Sequence, residues 1–244
     1  MRLKLVIAYD GASFVGWQSQ RGGRAVQDFL EAVFQKITGQ RVVVHGSGRT
    51  DSGVHALGQV AHVDVPDGSL GPQEWLRALN ASLPPAIRVL TARRAAPDFH
   101  ARFDAKGKVY RYMIRNAPVL PPHEAGRVWH FPQELDLSLM EQTAKIFVGR
   151  HDFAAFAANR AEAVQDTHRT IRKLSVQRRG TLISLTVEGE GFLYKMVRML
   201  TGAMVRAAQG RADLADLRER LRVGKPKWSF VAPAGGLYLV RVIY

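Results

Sequence analysis

The chain has 244 residues, 46% of them hydrophobic, a formal net charge of +14 at pH 7 and no cysteine. The lack of cysteine excludes disulfides, thiolate zinc sites and cysteine nucleophiles, and a chain of this length can bury enough surface to fold without such cross-links. No apolar run approaches the ~18 residues that cross a bilayer, and the N-terminus lacks a signal-peptide core. We therefore expect a soluble, cytoplasmic protein with no membrane partner.

The positive charge is spread along the whole chain. The residues before Pro122 and those after it each carry a net charge of +7, and arginine outnumbers lysine 26 to 9. Neutralising phosphates releases counterions, so a basic surface of this extent indicates a polyanionic partner such as nucleic acid. Genomic base composition explains the arginine excess equally well, so the excess alone does not decide.

The first half of the chain alternates between strands and helices. Apolar alternation over residues 3–7 predicts an opening strand that ends at Asp10-Gly11. Apolar residues at helical spacing over 26–37, followed by Gly39, predict a helix with a glycine C-cap. The other elements predicted here are a short strand at 42–44, a strand at 59–65 and a helix at 72–82.

The second half repeats this pattern more loosely. It predicts a strand at 109–114, a helix at 135–148 closed by Gly149, a hairpin of 171–176 with 182–187, a long helix at 192–208 and a closing strand at 237–243. Antiparallel strands with helices between them predict an α+β fold in which both halves are built alike. A seam is expected near Asp104-Ala105, which gives subdomains 1–104 and 105–244.

One loop is a candidate functional site. The segment GSGRTDSG at 46–53 is rich in glycine and serine around Arg49 and Asp51, and it lies between two predicted strands. It has neither the ending of a P-loop nor the glycine spacing of a dinucleotide motif. Its residues alone leave two interpretations open, a tight turn in which Asp51 bonds backbone amides or a loop that displays a functional acid.

Three histidines in the first half of the chain are candidate metal ligands. The spacing of His45, His55 and His62 fits no helical HExxH motif, and no pattern of carboxylate partners accompanies them. We therefore expect no metal site.

Six blocks, in order along the chain, resemble the TruA type of tRNA pseudouridine synthases. They are YDGASFVGWQ at 9–18, GRTDSGVHA at 48–56, FHARF at 99–103, YRY at 110–112, MVR at 196–198 and APAGGLYL at 232–239. We expect the rings of Tyr9, Phe14 and Trp17 in the first block to pack on the turn after the opening strand rather than to contact RNA. Asp104 and Val109 depart from the family pattern, which usually has a small hydroxyl residue and a basic residue at those places.

The resemblance implies a function and roles for four residues. It implies that Asp51 is the catalytic nucleophile, that Tyr110 lies against the target base, that Arg49 helps to displace this base and that Arg198 pairs with the aspartate. It further implies two similar subdomains, each a largely antiparallel sheet with helices on one face, that flank a basic central cleft in a homodimer. The substrate it implies is tRNA, at uridines thirty-eight to forty of the anticodon stem-loop.

The implied chemistry suits these residue types. Isomerisation breaks the N1–C1′ bond of uridine and joins C5 to C1′, so nothing is oxidised or hydrolysed and we expect no cofactor. A carboxylate can attack and leave again, and a flipped base can stack on an aromatic ring. The alternative is a non-catalytic module that binds structured RNA with the same fold, which would not need Asp51, Tyr110 and Arg198 together. A metal nuclease would need clustered carboxylates, and a methyltransferase a glycine-rich turn after its first strand; neither is present.

Overall fold

The computed structural model describes residues 1–66, 68, 70–158 and 166–244. It contains two compact units: Met1–Lys106 with Tyr238–Tyr244 form the first, and Gly107–Leu237 form the second. The first unit therefore contains both ends of the chain.

Ten strands and five α-helices occur in the described part of the chain. The strands are β1 (Arg2–Tyr9), β2 (His45–Gly46), β3 (His55–Asp64), β4 (Ile87–Arg94), β5 (Gly107–Arg115), β6 (Trp129–His130), β7 (Gly149–Asp152), β8 (His168–Arg179), β9 (Leu182–Gly189) and β10 (Leu237–Ile243). The helices are α1 (Val26–Thr38), α2 (Pro72–Ser82), α3 (Leu137–Phe147), α4 (Met196–Ala208) and α5 (Leu214–Val223).

The sheet of the first unit is built around β1. This strand pairs antiparallel with β3 on one side and with β4 on the other, β2 pairs antiparallel with β3, and β10 runs parallel to β3. Along β1 the buried side chains Leu3, Leu5 and Ile7 alternate with Lys4 and Val6, which point to the opposite face. The two faces of this sheet therefore differ: one is apolar and covered, and the other carries charge.

Helices α1 and α2 supply the apolar side chains that cover the buried face. Phe34 of α1 meets Trp75 of α2 with ring centroids 4.9 Å apart, and both side chains are fully buried. The C-cap of α1 is Gly39, and α2 has the predicted bounds. Local signals of periodicity and capping thus sufficed for both helices.

The second unit contains an antiparallel sheet in the order β5–β9–β8–β7, with β6 parallel to β5. The predicted hairpin is present as β8 and β9, with longer strands than expected. Helix α4 is buried almost all round, and only Arg198 and Arg206 in it are more than slightly accessible. The α+β prediction, with largely antiparallel sheets and helices in both halves, is confirmed.

The predicted strand at 42–44 and the predicted starts of β3 and of the long helix are wrong. β3 begins at His55 rather than at 59. Residues 42–44 do not form a strand, because the N–H of Val44 donates to the carboxylate of Glu31 at 3.0 Å, and pairing with β3 begins only at His45. The long helix begins at Met196 rather than at 192, because Lys195 has a φ of 57°, which no residue inside a right-handed helix adopts. The strands β4, β6 and β7 and the helix α5 were not predicted.

No helix in the described ranges combines the length and the apolar character that a bilayer crossing requires.

For Gly202 in α4 we predict an effect on stability opposite to the one usual for a helical glycine. Replacing a helical glycine by alanine ordinarily stabilises a protein by about 0.5–1 kcal/mol. At Gly202, however, an added Cβ would lie 2.6 Å from the carbonyl oxygen of Phe230. We expect Gly202→Ala to lower the free energy of unfolding by about 1–3 kcal/mol, measured by urea denaturation. A gain in stability would contradict this close approach.

Candidate active site

The loop that carries Asp51 joins β2 to β3. The sequence predicted a loop between two strands here, but with the first strand at 42–44. Asp51 is half-buried, and its main-chain carbonyl accepts the N–H of Val54 at 3.1 Å, which closes a turn over residues 51–54. A main-chain hydrogen bond therefore closes the turn that begins at Asp51.

A buried amide fixes the start of the loop. The side chain of Gln59 in β3 is fully buried; its Oε1 accepts the hydroxyl of Ser47 at 2.7 Å and the N–H of Val60 at 3.1 Å. Its Nε2 donates to the carbonyl of Gly48 at 2.9 Å. A buried amide without partners costs about 1–3 kcal/mol, so these bonds tie the path of the loop to the strand behind it.

Thr50, the residue before Asp51, is held through both its side chain and its backbone. Its hydroxyl shares a hydrogen bond of 2.8 Å with the hydroxyl of Tyr9, and its carbonyl accepts the N–H of Trp17 at 3.1 Å. Burial raises the pKa of Tyr9, so the phenol is protonated at neutral pH. Asp51 therefore follows a residue whose position is fixed.

The aromatic side chains of the block at 9–18 pack within the first unit, and its glycine lies against this loop. Tyr9, Phe14 and Trp17 are buried, which agrees with the expectation that they pack instead of contacting RNA. Gly16 has a φ of 107°, and a Cβ there would lie 2.6 Å from the carbonyl oxygen of Thr50. Only glycine permits this approach of the two segments.

Arg49 lies on the exposed side of the same loop. Its Nε donates to Oε1 of Gln18 at 3.2 Å, and its side chain is exposed to solvent. Gln18 thus orients the guanidinium while most of its donors remain available to a ligand.

His55 anchors the far end of the loop. Its Nδ1 accepts the N–H of Gly11 at 3.0 Å, and its ring stacks on Tyr238 with centroids 4.6 Å apart. Asp10 also approaches the same nitrogen, at 3.1 Å. These contacts hold the ring of His55 in place at the end of the loop.

Tyr110 lies on β5 in the second unit, opposite Val187 of β9. It is 9% exposed, and its ring meets Phe192 edge to face with centroids 5.2 Å apart at 85°. The ring is therefore held in one orientation by its neighbours.

Arg198 lies in the first turn of α4 and is tied to the chain that precedes β10. Its Nε donates to the carbonyl of Ala232 at 2.8 Å, and the N–H of Ala232 donates back to the Arg198 carbonyl at 3.1 Å. Next to this pair, the hydroxyl of Tyr112 donates to the carbonyl of Pro233 at 2.7 Å. Burial raises the pKa of Tyr112, against an opposing effect of the Arg198 charge, so this donor keeps its proton.

The structure thus places the four predicted site residues in two pairs. Arg49 and Asp51 share one loop of the first unit, whereas Tyr110 and Arg198 lie on a strand and a helix of the second. The supporting residues Gln59, Thr50 and Ser47 were missed by the sequence reasoning. A polar Gln59 between Gly58 and Val60 was the available signal, because glutamine inside a buried strand needs partners.

Three histidines of the first unit form a cluster beside β3. The rings of His45 and His62 stack with centroids 4.8 Å apart, and His100 meets His62 at 4.6 Å. Nδ1 of His62 accepts the N–H of Ala101 at 3.1 Å. Within the described ranges, no group of three or more metal-ligating side chains is placed to hold an ion.

Two stretches of the chain, residues 5–104 and 143–244, match the model of a family described as tRNA pseudouridine synthase. The chain belongs to this family. A tRNA pseudouridine synthase A from Akkermansia muciniphila is 47% identical to this synthase over 100% of this chain and 95% of the relative. Homologues with the same name come from Solidesulfovibrio magneticus, at 48% identity over 100% and 91%, and from Methylacidiphilum infernorum, at 41% over 99% and 94%.

A chain from a crystal structure of a Cbf5-Nop10-Gar1 complex resembles this synthase only distantly. The TM-score is 0.36 and the identity 13%, over 83% of this chain and 44% of that one, which is too weak to bear on function. The family match and the full-length relatives identify the chain as a pseudouridine synthase. Its reaction is an isomerisation, because the same atoms of one nucleotide are joined differently afterwards.

The buried amide of Gln59 gives a prediction for activity. Gln59→Leu keeps the volume but removes three hydrogen bonds around the loop, and a small displacement of a reacting group costs up to about 100-fold in rate. We expect kcat for pseudouridine formation to fall about 10- to 100-fold, with a smaller change in KM. Gln35→Leu on the exposed side of α1 is the control. A change in KM alone would show that Gln59 does not position the loop.

His62 gives a prediction for the pH dependence of stability. Burial, together with the neighbouring His45 and His100, lowers the pKa of His62 to about 4. The unfolded chain, with an ordinary histidine pKa of about 6.5, binds the proton more tightly, so the free energy of unfolding should fall as the pH drops from about 6.5 to 4. We expect a loss on the order of 1–3 kcal/mol in urea denaturation, reduced in His62→Gln, which keeps an acceptor for Ala101. If the free energy of unfolding fell equally steeply with pH in both proteins, the role of His62 would be contradicted.

Proposed function

We propose that this synthase isomerises uridines thirty-eight to forty in the anticodon stem-loop of tRNA, with Asp51 as the nucleophile. The observation that carries the proposal is the support of the Asp51 loop from behind by the buried Gln59 and by the Tyr9–Thr50 hydrogen bond. A nucleophile gains most when it is held in position before the substrate arrives, because ordering it then costs nothing during the reaction. The loop meets this requirement.

Asp51 acts in the proposal as an ionised carboxylate. It attacks the substrate, the N1–C1′ bond breaks, the base turns, C5 bonds to C1′, and the bond to the carboxylate breaks. The proton on C5 of uridine is then lost to restore the aromatic base, and N1, which no longer carries the sugar, takes up a proton. Every atom of the nucleotide except that exchanged proton is retained.

The other residues prepare the substrate for this step. A base inside a stem must be extruded at a cost of a few kcal/mol, and stacking on an aromatic ring offsets part of this cost. We assign the stacking to Tyr110 and the displacement of the base to Arg49, whose guanidinium is exposed on the loop. We assign to Arg198 the role of pairing with the Asp51 carboxylate. The last assignment rests on the family resemblance.

The wider setting belongs to the same proposal. A basic surface binds the tRNA, and the synthase works as a cytoplasmic homodimer without cofactor or metal. The net charge of +14 supports a large polyanionic substrate such as tRNA.

Tritium release tests the nucleophile. In tRNA with uridines tritiated at C5, each isomerisation releases one tritium to water, so we expect Asp51→Ala and Asp51→Asn to lose at least about 10³-fold in rate while tRNA binding persists. Glu141→Gln, an exposed carboxylate-to-amide change on α3, is the matched control. Release that continues in Asp51→Asn would overturn the assignment. Binding without any release by the unaltered protein would instead support the non-catalytic RNA-binding module.

A further inference from the structure

A row of basic and imidazole side chains crosses one face of the first unit's sheet. Arg93 of β4 lies opposite Lys4 of β1, Lys4 lies opposite His62 of β3, and His62 lies opposite His45 of β2. Directly opposed residues on neighbouring strands share a face of the sheet, so these four side chains are neighbours. The row lies on the face opposite to that of Leu3, Leu5 and Ile7.

Residues 99–104, called here the aromatic turn, lie over this row. Nδ1 of His100 accepts the N–H groups of Arg102 and Phe103 at 3.1 and 3.3 Å. The carboxylate of Asp104 accepts the N–H of His100 at 2.8 Å, and the N–H of Asp104 donates to the His100 carbonyl at 3.1 Å. The turn is therefore rigid. Asp104, a departure from the family pattern, supplies the acceptor oxygen that a hydroxyl residue could also supply.

The rigid turn presents an aromatic ring to solvent. Phe103 is 74% exposed, and its ring lies on the ring of His100 with centroids 4.2 Å apart and a tilt of 31°. The guanidinium of Arg102 lies 5.6 Å from the centre of the Phe103 ring. Across the part of the chain that the structure describes, no carboxylate forms an ion pair with Arg102. The exposed ring of Phe103 thus lies beside the guanidinium of Arg102, for which the described part of the chain provides no acidic partner.

This pairing of groups fits a nucleotide. A nucleobase can stack on an aromatic face whatever its sequence, and an adjacent guanidinium can bind the phosphate in a bidentate manner. A protein partner could contact the Phe103 ring, but it would also have to supply an acidic side chain to pair with Arg102. RNA supplies a phosphate with every nucleotide. The basic row of Lys4 and Arg93 on the same face adds to the attraction for RNA.

The turn is far from the isomerisation step. His62, which accepts the N–H of Ala101, lies seven residues along β3 from His55 at the end of the Asp51 loop, or roughly 23 Å at 3.3 Å per residue. A nucleotide bound there is not the target uridine. A tRNA is long enough to span that distance.

We propose that the aromatic turn is a second RNA contact, at which Phe103 stacks on an unpaired nucleobase of the bound tRNA and Arg102 binds a neighbouring phosphate. The contact rests on tRNA as the substrate but not on the role of Asp51. It holds the tRNA at a distance from the active site and contributes to affinity rather than to the rate of the chemical step.

The first test separates stacking from other uses of the ring. Stacking on an aromatic side chain contributes about 1–3 kcal/mol, so Phe103→Ala should raise the Kd for full-length unmodified tRNA about 5- to 150-fold. Phe103→Trp should bind like the unaltered protein, since it keeps a ring. Val119→Ala, at a side chain that is 75% exposed in the second unit, is the control for removing exposed apolar surface. Single-turnover rates at saturating tRNA should stay unchanged in all three.

The second test concerns the phosphate. Arg102→Gln should reduce the slope of log Kd against log salt concentration by about one, while Phe103→Ala should raise Kd at every salt concentration without changing the slope. Lys36→Gln, an exposed cation on α1, is the control for removing one charge. Equal slopes for Arg102→Gln and the unaltered protein would overturn the phosphate contact.

Two further outcomes would overturn the proposal as a whole. One is tRNA affinity in Phe103→Ala equal to that of the unaltered protein. The other is a loss of affinity that accompanies a change of oligomeric state in light scattering, which would make Phe103 a contact between protein chains. Either result leaves the tritium assay of Asp51→Asn unaffected, so failure of this contact and failure of the nucleophile are distinguished.

Discussion

A buried amide has to satisfy its hydrogen bonds within the protein, and Gln59 does so with the segment that leads to Asp51. This requirement couples a short, glycine-rich loop to a strand in the interior of the first unit. Thr50 is coupled in the same way to Tyr9, which is itself buried on β1. The loop can therefore be rich in small residues and still follow one defined path, which sets where the backbone of Asp51 lies.

The second unit follows the same principle with different groups. The carbonyls of Ala232 and Pro233 accept hydrogen bonds from Arg198 and Tyr112. A segment that contributes only backbone groups thus fixes the guanidinium of Arg198 and the phenol of Tyr112. The sequence blocks at 9–18 and 232–239 are best understood in this way. They support the segment that leads to Asp51 and the side chain of Arg198 by backbone hydrogen bonds and close packing.

The success of the sequence-based predictions depended on whether a signal was local. Helix α2 and the last strand were predicted residue for residue, because their periodicity and end signals lie within the segments themselves. The start of α4 was misplaced because a positive φ at Lys195 has no sequence signature, and β4 was missed in an arginine-rich stretch. The support of Arg198 by Ala232 joins residues 34 apart. Such contacts between distant segments become visible only when the chain is folded.

The central claim is that this synthase converts particular uridines of tRNA through the loop that carries Asp51. Mapping pseudouridine nucleotide by nucleotide in an unmodified tRNA, by chemical labelling and reverse transcription, tests this most directly. The account predicts new pseudouridines at positions thirty-eight to forty, with no change in the mass of the RNA, and none after incubation with Asp51→Asn. Pseudouridine confined to another arm of the tRNA, or formed equally by the Asp51→Asn variant, would contradict it.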